Sequence, residues 1–356
     1  MSDAQASLMQ VPVPKLPRPR LVAALAVLVM LALPMAWGLA CIPGQTLQGG
    51  TIELAAGMTA QQFAQQLHAG NGLTTPVWVL RWYIRAAGDA ARLRAGEYRV
   101  AGGETVGHLL GRVVRGDVVQ RRVALIEGWT FRRVLAQLHR TPKLKANLAT
   151  LSDAEIRARL GITEGSLEGV FLPATYAYVA GMADSDVLNI ARDRLRATLA
   201  VEWGRRAAGL PYTRAYDALI VASLVEKETG KAADRDAIAA VFAERLRLGM
   251  RLQTDPSVIY ALGARFDGNL TRENLTLDDP YNTYVYAGLP PSPIALVSRA
   301  ALHATLHPRQ SDDLYFVARG DGSSEFSSTL AAHEQAVTRY QRSSGARRAR
   351  DHEAAP

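Results

Sequence analysis

No charged residue interrupts the run from Leu21 to Ile42, LVAALAVLVMLALPMAWGLACI, which is 22 residues long. As a helix rising about 1.5 Å per residue it extends about 33 Å, enough to cross the hydrocarbon layer of a bilayer. Lys15, Arg18 and Arg20 precede the run and the next charge is Glu53. Basic residues on the leading side place residues 1–20 in the cytoplasm, residues 21–42 in the membrane, and the rest of the chain outside. A cleaved leader is the competing reading, because Gly38-Leu39-Ala40 supplies small residues of the kind a signal peptidase uses. A lipid-modified Cys41 is disfavoured by Gly38 at the position three before it, where a leucine is wanted, and Trp37 suits an interfacial anchor.

The remainder is ordinary globular sequence. At 356 residues, with 48% apolar and 21% charged residues, the chain has material for two or three compact units, and its composition excludes global disorder, collagen-like repeats and a multi-spanning membrane protein. The formal net charge of +8 favours anionic partners such as acidic lipid, the carboxylates of cell-wall peptides, or nucleic acid. If the chain is exported as the leading segment implies, nucleic acid drops from that set. Cys41 is the single cysteine, which excludes an intramolecular disulfide and a cysteine-based zinc cluster.

Three segments repeat one layout: a β-prone stretch, a Gly-x-Thr punctuation, then an amphipathic helix. They are TIELAAGMTAQQFAQQL with Gly57 and Thr59, YRVAGGETVGHLLGRVV with Gly103 and Thr105, and RVALIEGWTFRRVLAQL with Gly128 and Thr130. In each the threonine is placed as an N-cap, and the apolar residues that follow at spacings of three and four form a buried stripe. Between the first two lies a Trp-rich helix starting near Pro76. Small βα units of this kind resemble LysM-type modules that grip N-acetyl sugars, and residues 43–140 are assigned to such a region; the alternative is that they serve packing alone.

Residues 214–230, RAYDALIVASLVEKETG, read as a helix stopped by Gly230. At about 100° per residue, Val221, Leu224 and Val225 fall within roughly 60° of Glu228, whereas Glu226 lies about 160° away. Glu228 therefore emerges from an apolar stripe in the last turn, where desolvation and the negative helix end both raise a carboxyl pKa. A general acid working near neutral pH needs that environment. Glu226, beside Lys227, reads as a structural or ion-paired acid.

VASLVEKETG is followed by an ordered string of segments, VFAERLRLGMRLQTDPSVIYALG (241–263), YNTYVYAGLPPSPI (281–294), ALHATLHP (301–308) and DDLYFVARGDGSSEFSSTLAAHEQAV (312–337), and preceded by LEGVFLPATYAY (167–178). Together these resemble the endolytic murein transglycosylase family, the YceG-like proteins, over residues 21–340. The resemblance implies that the second acid of Glu-Lys-Glu-Thr, Glu228, is catalytic. It also implies internal cleavage of nascent peptidoglycan glycan strands beside the synthases that make them, by a single-pass protein of the inner membrane with its catalytic domain in the periplasm. No cofactor or metal is implied.

Around this acid, Asp255 followed by Pro256 reads as a helix start with Asp255 as N-cap, which leaves Gln253 as a sugar contact. Tyr281, Asn282 and Tyr284 mix amide, hydroxyl and aromatic groups as saccharide sites do, and are assigned to substrate binding. Pro290-Pro291 stiffens a loop. His303 and His307 are set aside as metal ligands, because residue 304 is alanine and no third ligand is apparent. Arg319-Gly320-Asp321-Gly322 reads as a hairpin turn, and residues 341–356 as a disordered basic tail.

A lytic transglycosylase needs one carboxyl group, which first protonates the glycosidic oxygen and then accepts the proton of the muramic C6 hydroxyl. A water-using muramidase needs a second carboxylate, for which Asp255 and Glu168 are the candidates. A tethered, non-catalytic peptidoglycan-binding scaffold is the other alternative. The expected architecture is α+β: one N-terminal transmembrane helix, a LysM-like βα subdomain, and a mixed catalytic domain over residues 141–340.

Overall fold

The computed structural model describes residues 18–342 apart from 56, 71 and 88–90. The first helix, α1, spans Arg18–Cys41, and its described apolar side chains, such as Leu25, Leu28 and Met30, are exposed. Its side chains are described only in part, and among the described residues no helix is long and apolar enough to cross a membrane. The cytoplasmic tail falls almost wholly, and the basic tail mainly, outside the described residues.

The chain divides into two compact units, residues 1–119 and 120–356. In the first, β1 (Gly50–Leu54), α2 (Ala60–Gly70), α3 (Val77–Ala86), β2 (Gly96–Val100) and α4 (Val106–Arg115) follow in order. β1 and β2 pair antiparallel with Ile52 opposite Tyr98. A two-stranded sheet is marginal by itself, and here its buried face is covered by Phe63 and Leu67 of α2, Leu80 and Ile84 of α3, and Leu109 and Val113 of α4. Trp78 and Trp82 of α3 point away from that core and are exposed.

The Gly-x-Thr punctuation has a local cause. Gly57, Gly103 and Gly128 have φ of 78°, 83° and 73°, the left-handed region that glycine enters without strain. Each threonine two residues later accepts a backbone N–H of the helix it opens: Gln62 at 3.3 Å, His108 at 3.3 Å and Arg133 at 3.4 Å.

The third strand-helix pair, β3 (Arg121–Leu125) and α5 (Phe131–His139), belongs to the second unit and not to the first. The compact boundary thus lies at 119 and not at the expected 140. A strand follows its hydrogen-bonding partner, and β3 pairs antiparallel with β4 (Ala174–Tyr178), reached after α6 (Asp153–Arg159). Phe131, Val134 and Leu138 enter the second core. The chain continues through α7 (Asp184–Gly204), α8 (Ala215–Glu228), α9 (Arg235–Arg247), α10 (Asp255–Leu262) and α11 (Arg299–Leu306). It ends in β5 (Tyr315–Ala318), β6 (Ser324–Ser327) and α12 (Leu330–Val337). β5 and β6 form the expected hairpin, with Arg319 N–H donating to Ser323 O at 2.8 Å across the turn. Helices and antiparallel strand pairs in separate segments make this an α+β fold.

α8 is the centre of this unit. Every residue from Asp217 to Val225 is buried, so the helix is enclosed all round and largely apolar on every face, without an exposed polar stripe. It packs against α7, α9, α10 and α11.

Candidate active site

Glu228 is the last residue of α8, so its side chain leaves the enclosed helix where the chain turns out toward solvent. The residue is part-exposed, but its carboxyl group is desolvated, and that burial is the main influence lifting it to about 7. The charge of Asp255 pushes the same way, while the hydrogen bond from Thr254 and the guanidinium of Arg245 act against the rise. At neutral pH the group therefore stands near half-protonation, ready to give or take a proton.

One hydroxyl holds the acid. Thr254 Oγ1 donates to Glu228 Oε1. Thr254 is fixed through its backbone, its N–H donating to Thr283 Oγ1 at 3.0 Å and its carbonyl accepting from Ser257 Oγ at 2.7 Å. Ser257 Oγ and Thr283 Oγ1 are in turn 2.8 Å apart. Thr254, not Asp255, is the N-cap position of α10, because the helix starts one residue earlier than Asp-Pro alone suggests. Asp255 is exposed and accepts from the Tyr284 hydroxyl at 2.6 Å.

Arg245 supplies a fixed positive charge felt by Glu228. It is buried, with Nε donating to Leu314 O at 2.7 Å and Nη1 to Leu252 O at 2.6 Å, and its guanidinium lies 5.3 Å from the Tyr315 ring centroid. It lowers the cost of ionising Glu228 without a direct ion pair.

Glu226 has the structural role expected of it. Its oxygens accept from Ser298 N–H at 2.9 Å and lie 4.0 Å from Arg235 Nη2, so this acid joins α8 to α9 and to the start of α11. One turn earlier, Ser223 Oγ accepts from Ile294 N–H at 3.0 Å, seating the Pro290–Pro293 loop on α8.

The residues assigned to substrate binding separate into two groups. Gln253 is exposed immediately before Thr254 and has φ of 49°, a left-handed conformation uncommon for a side-chain-bearing residue and concentrated at functional sites. Tyr284 is part-buried and tied to Asp255. Both stay candidates for a sugar contact. Asn282 does not: it is fully buried, Nδ2 donates to Leu275 O at 3.0 Å and Leu277 O at 2.8 Å, and Oδ1 accepts from Tyr284 N–H at 2.9 Å. With its amide satisfied by backbone, it organises the loop that carries Thr283 and Tyr284. Tyr281 is likewise turned inward, its hydroxyl 2.7 Å from Ser292 Oγ and its ring 4.8 Å from that of Tyr260.

A cavity of about 890 Å³ flanks this arrangement, lined by Arg132, Glu168, Lys227, Pro256 and Tyr260 among others. Glu168 accepts from Phe131 N–H at 2.8 Å, and burial lifts its carboxyl to about 7 against the hydrogen bonds from Phe131 and Tyr260. Gly169 beside it has φ of 71°, and a Cβ there would stand 2.4 Å from Pro293 Cβ, so the Leu-Glu-Gly segment requires glycine to pack under the proline loop. Among the described residues, the group of metal-ligating side chains, Glu202, His303 and His307, is built on α7 and α11 and not on the loops around Glu228.

Thr254 and Arg245 were not singled out from sequence. A threonine immediately before Asp-Pro is the available signal for the first, and a lone arginine in an otherwise apolar helix face for the second.

A family model described as the YceG-like family matches residues 52–339. Among curated proteins, the endolytic murein transglycosylase of Bacillus subtilis is 39% identical over 175 residues, 49% of this chain and 48% of that protein. The endolytic murein transglycosylase of Streptococcus pneumoniae is 28% identical over 243 residues, 67% of this chain and 42% of that protein. The chain thus spans about half the length of the curated relatives it matches. Among solved structures, the crystal structure of a YceG-like protein from Listeria monocytogenes superposes with a TM-score of 0.53 at 28% identity, over 81% of this chain and 98% of that one.

Proposed function

The chain belongs to the YceG-like family, and from that premise we propose that it is an endolytic lytic transglycosylase of peptidoglycan, with Glu228 as the one general acid and base. The observation that carries the reading is Glu228 itself: a desolvated carboxyl raised to about 7 and held on one oxygen by Thr254. A scaffold that only binds glycan has no use for such a group.

The reaction follows from that geometry. Thr254 occupies Oε1, so the proton is carried on Oε2 and passes to the oxygen linking N-acetylmuramic acid to N-acetylglucosamine. As the anomeric C–O bond breaks, the carboxylate, now stabilised by the Thr254 hydroxyl and the Arg245 charge, accepts the proton of the muramic C6 hydroxyl. The C6 oxygen closes onto the anomeric carbon of the same sugar, giving a 1,6-anhydro end with no water consumed. A paired-carboxylate hydrolase requires a free second acid across the cleft. Asp255 is bonded to Tyr284 and Glu168 to Phe131, which favours the single-acid mechanism.

The setting is part of the proposal. The uncharged run from Leu21 to Ile42 supports a single-pass anchor in the inner membrane, N-terminus inside, with the chain after residue 42 in the periplasm beside the synthases that supply nascent glycan. In the first unit the repeated βα layout and the exposed Trp78 and Trp82, one helical turn apart, support a LysM-like, glycan-gripping role, since indole faces stack on sugar rings.

The test is mass spectrometry of purified peptidoglycan digested by the full chain and by its Glu228→Gln variant. Anhydro-ended fragments from the wild type alone are expected. Reducing ends would instead establish hydrolysis, and equal products from both proteins would remove Glu228 from the reaction.

A further inference from the structure

Glu202 lies in the last turn of α7, and His303 and His307 stand one turn apart at the end of α11. His303 Nδ1 is 3.0 Å and His307 Nε2 is 4.0 Å from the same carboxylate oxygen, Glu202 Oε2. The two imidazole centroids are 4.4 Å apart at an interplanar angle of 32°. The three ligand atoms lie within 4.8 Å of one another.

A surface ion pair does not explain the second ring. One imidazole suffices as a partner for Glu202, and the pair leaves the second ring, stacked on the first and facing the same oxygen, without a purpose. Two imidazole nitrogens and a carboxylate oxygen brought together are the donor set of a borderline divalent metal. Zinc bonds imidazole nitrogen and carboxylate oxygen at about 2.0–2.2 Å, which puts tetrahedral ligand atoms about 3.3–3.6 Å apart. The present atoms lie within 4.8 Å of one another, so shifts of about an ångström bring them to that spacing.

In the sequence the His-x-x-x-His pair has Ala304 where a zinc protease carries its glutamate, and no third ligand lies nearby. The fold supplies the third ligand from 101 residues before His303. Alanine at 304 removes the general base of that protease motif but not the metal-binding geometry.

We propose that Glu202, His303 and His307 form a binding site for a divalent transition-metal ion of the zinc class, with three protein ligands and an open fourth position. The ion clips α7 to α11, two of the four helices packed on α8, and so braces the platform behind Glu228 without touching the reacting groups.

The test uses the untagged full chain in detergent, stripped of metal and titrated with zinc chloride in a calorimeter. One saturable equivalent per chain is expected, and Glu202→Gln, His303→Ala and His307→Ala should each weaken it by at least about tenfold. His108→Ala, which removes an imidazole paired with Glu104 at 2.7 Å in the first unit, should leave it unchanged. Melting of the metal-free variants within about two degrees of wild type shows that their fold is kept, and zinc should raise the melting temperature of wild type and His108→Ala only. Cobalt in place of zinc should give visible bands without thiolate charge transfer, which separates this site from Cys41. Absence of saturable binding, or binding untouched by all three variants, overturns the proposal. No readout involves glycan cleavage, so its failure is distinguishable from failure of the enzymatic assignment.

Discussion

Thr254 donates its hydroxyl to Oε1 of Glu228, so the residue at the head of α10 leaves that helix without a side-chain cap and holds the acid instead. Replacing it with valine keeps the shape and removes the donor. Because that hydrogen bond pulls the Glu228 pKa down, Thr254→Val should move the alkaline limb of the kcat/KM pH profile above its wild-type position near 7. It should also slow turnover by roughly 10- to 100-fold through lost positioning. A pH profile of anhydro-end release checks both, and an unmoved limb would mean that Thr254 does not act on the acid.

Glu228 also leaves a mark on stability. Its carboxyl group stands at about 7 in the fold against 4.5 for an unperturbed glutamate, so the folded state holds a proton that the unfolded state releases. Its contribution is neutral below pH about 4.5 and increasingly unfavourable as pH rises to 7. Glu228→Gln should therefore be inactive yet more stable at pH 8, by up to about 3 kcal/mol. Glu168, raised in the same direction, retains part of the pH slope in that variant. Urea melts of both proteins at pH 5 and pH 8 provide the measurement.

Glu168→Gln separates the two raised acids. Glutamine still offers an oxygen to Phe131 N–H, and the single-acid mechanism makes no use of the lost charge. The variant should release anhydro-ended fragments as wild type does. A switch in product ends, or complete loss of cleavage by a folded protein, would place Glu168 in the chemistry.

Asn282→Ala should act on folding. It strips partners from two part-buried carbonyls and one amide, each costing up to about 1–3 kcal/mol when left unsatisfied. A loss of about 2–4 kcal/mol in denaturant melts is expected, and a rise in KM with unchanged stability would restore it to the binding site.

What could be read from sequence was what short-range physics determines. Gly-x-Thr encodes a left-handed turn and a cap within three residues, so all three strand-helix units were visible. The enclosed stretch before Glu228 is likewise local, and it singled out the acid. What escaped depends on partners far along the chain. Nothing near β3 announces that its mate is β4. Glu228 finds Thr254 across 26 residues, and the histidine pair lacked a third ligand until α7 was laid beside α11. Asn282 was misassigned for a different reason: amide, hydroxyl and aromatic groups have one composition whether they face a sugar or tie down a loop, and only burial distinguishes the two.

The division at residue 119 has a consequence for a chain that emerges one residue at a time. Everything that closes the first core lies before that point, so this unit can pack as soon as it leaves the ribosome or the translocation channel. The second waits. Glu228 meets Thr254 only when residue 254 has been delivered, and α8 is braced through Glu226 only after Ser298. A product of synthesis interrupted before residue 254 thus lacks the partner of its acid, and the order of the residues along the chain keeps the reactive group unarmed until the segment from Thr254 to Ser298 has followed it.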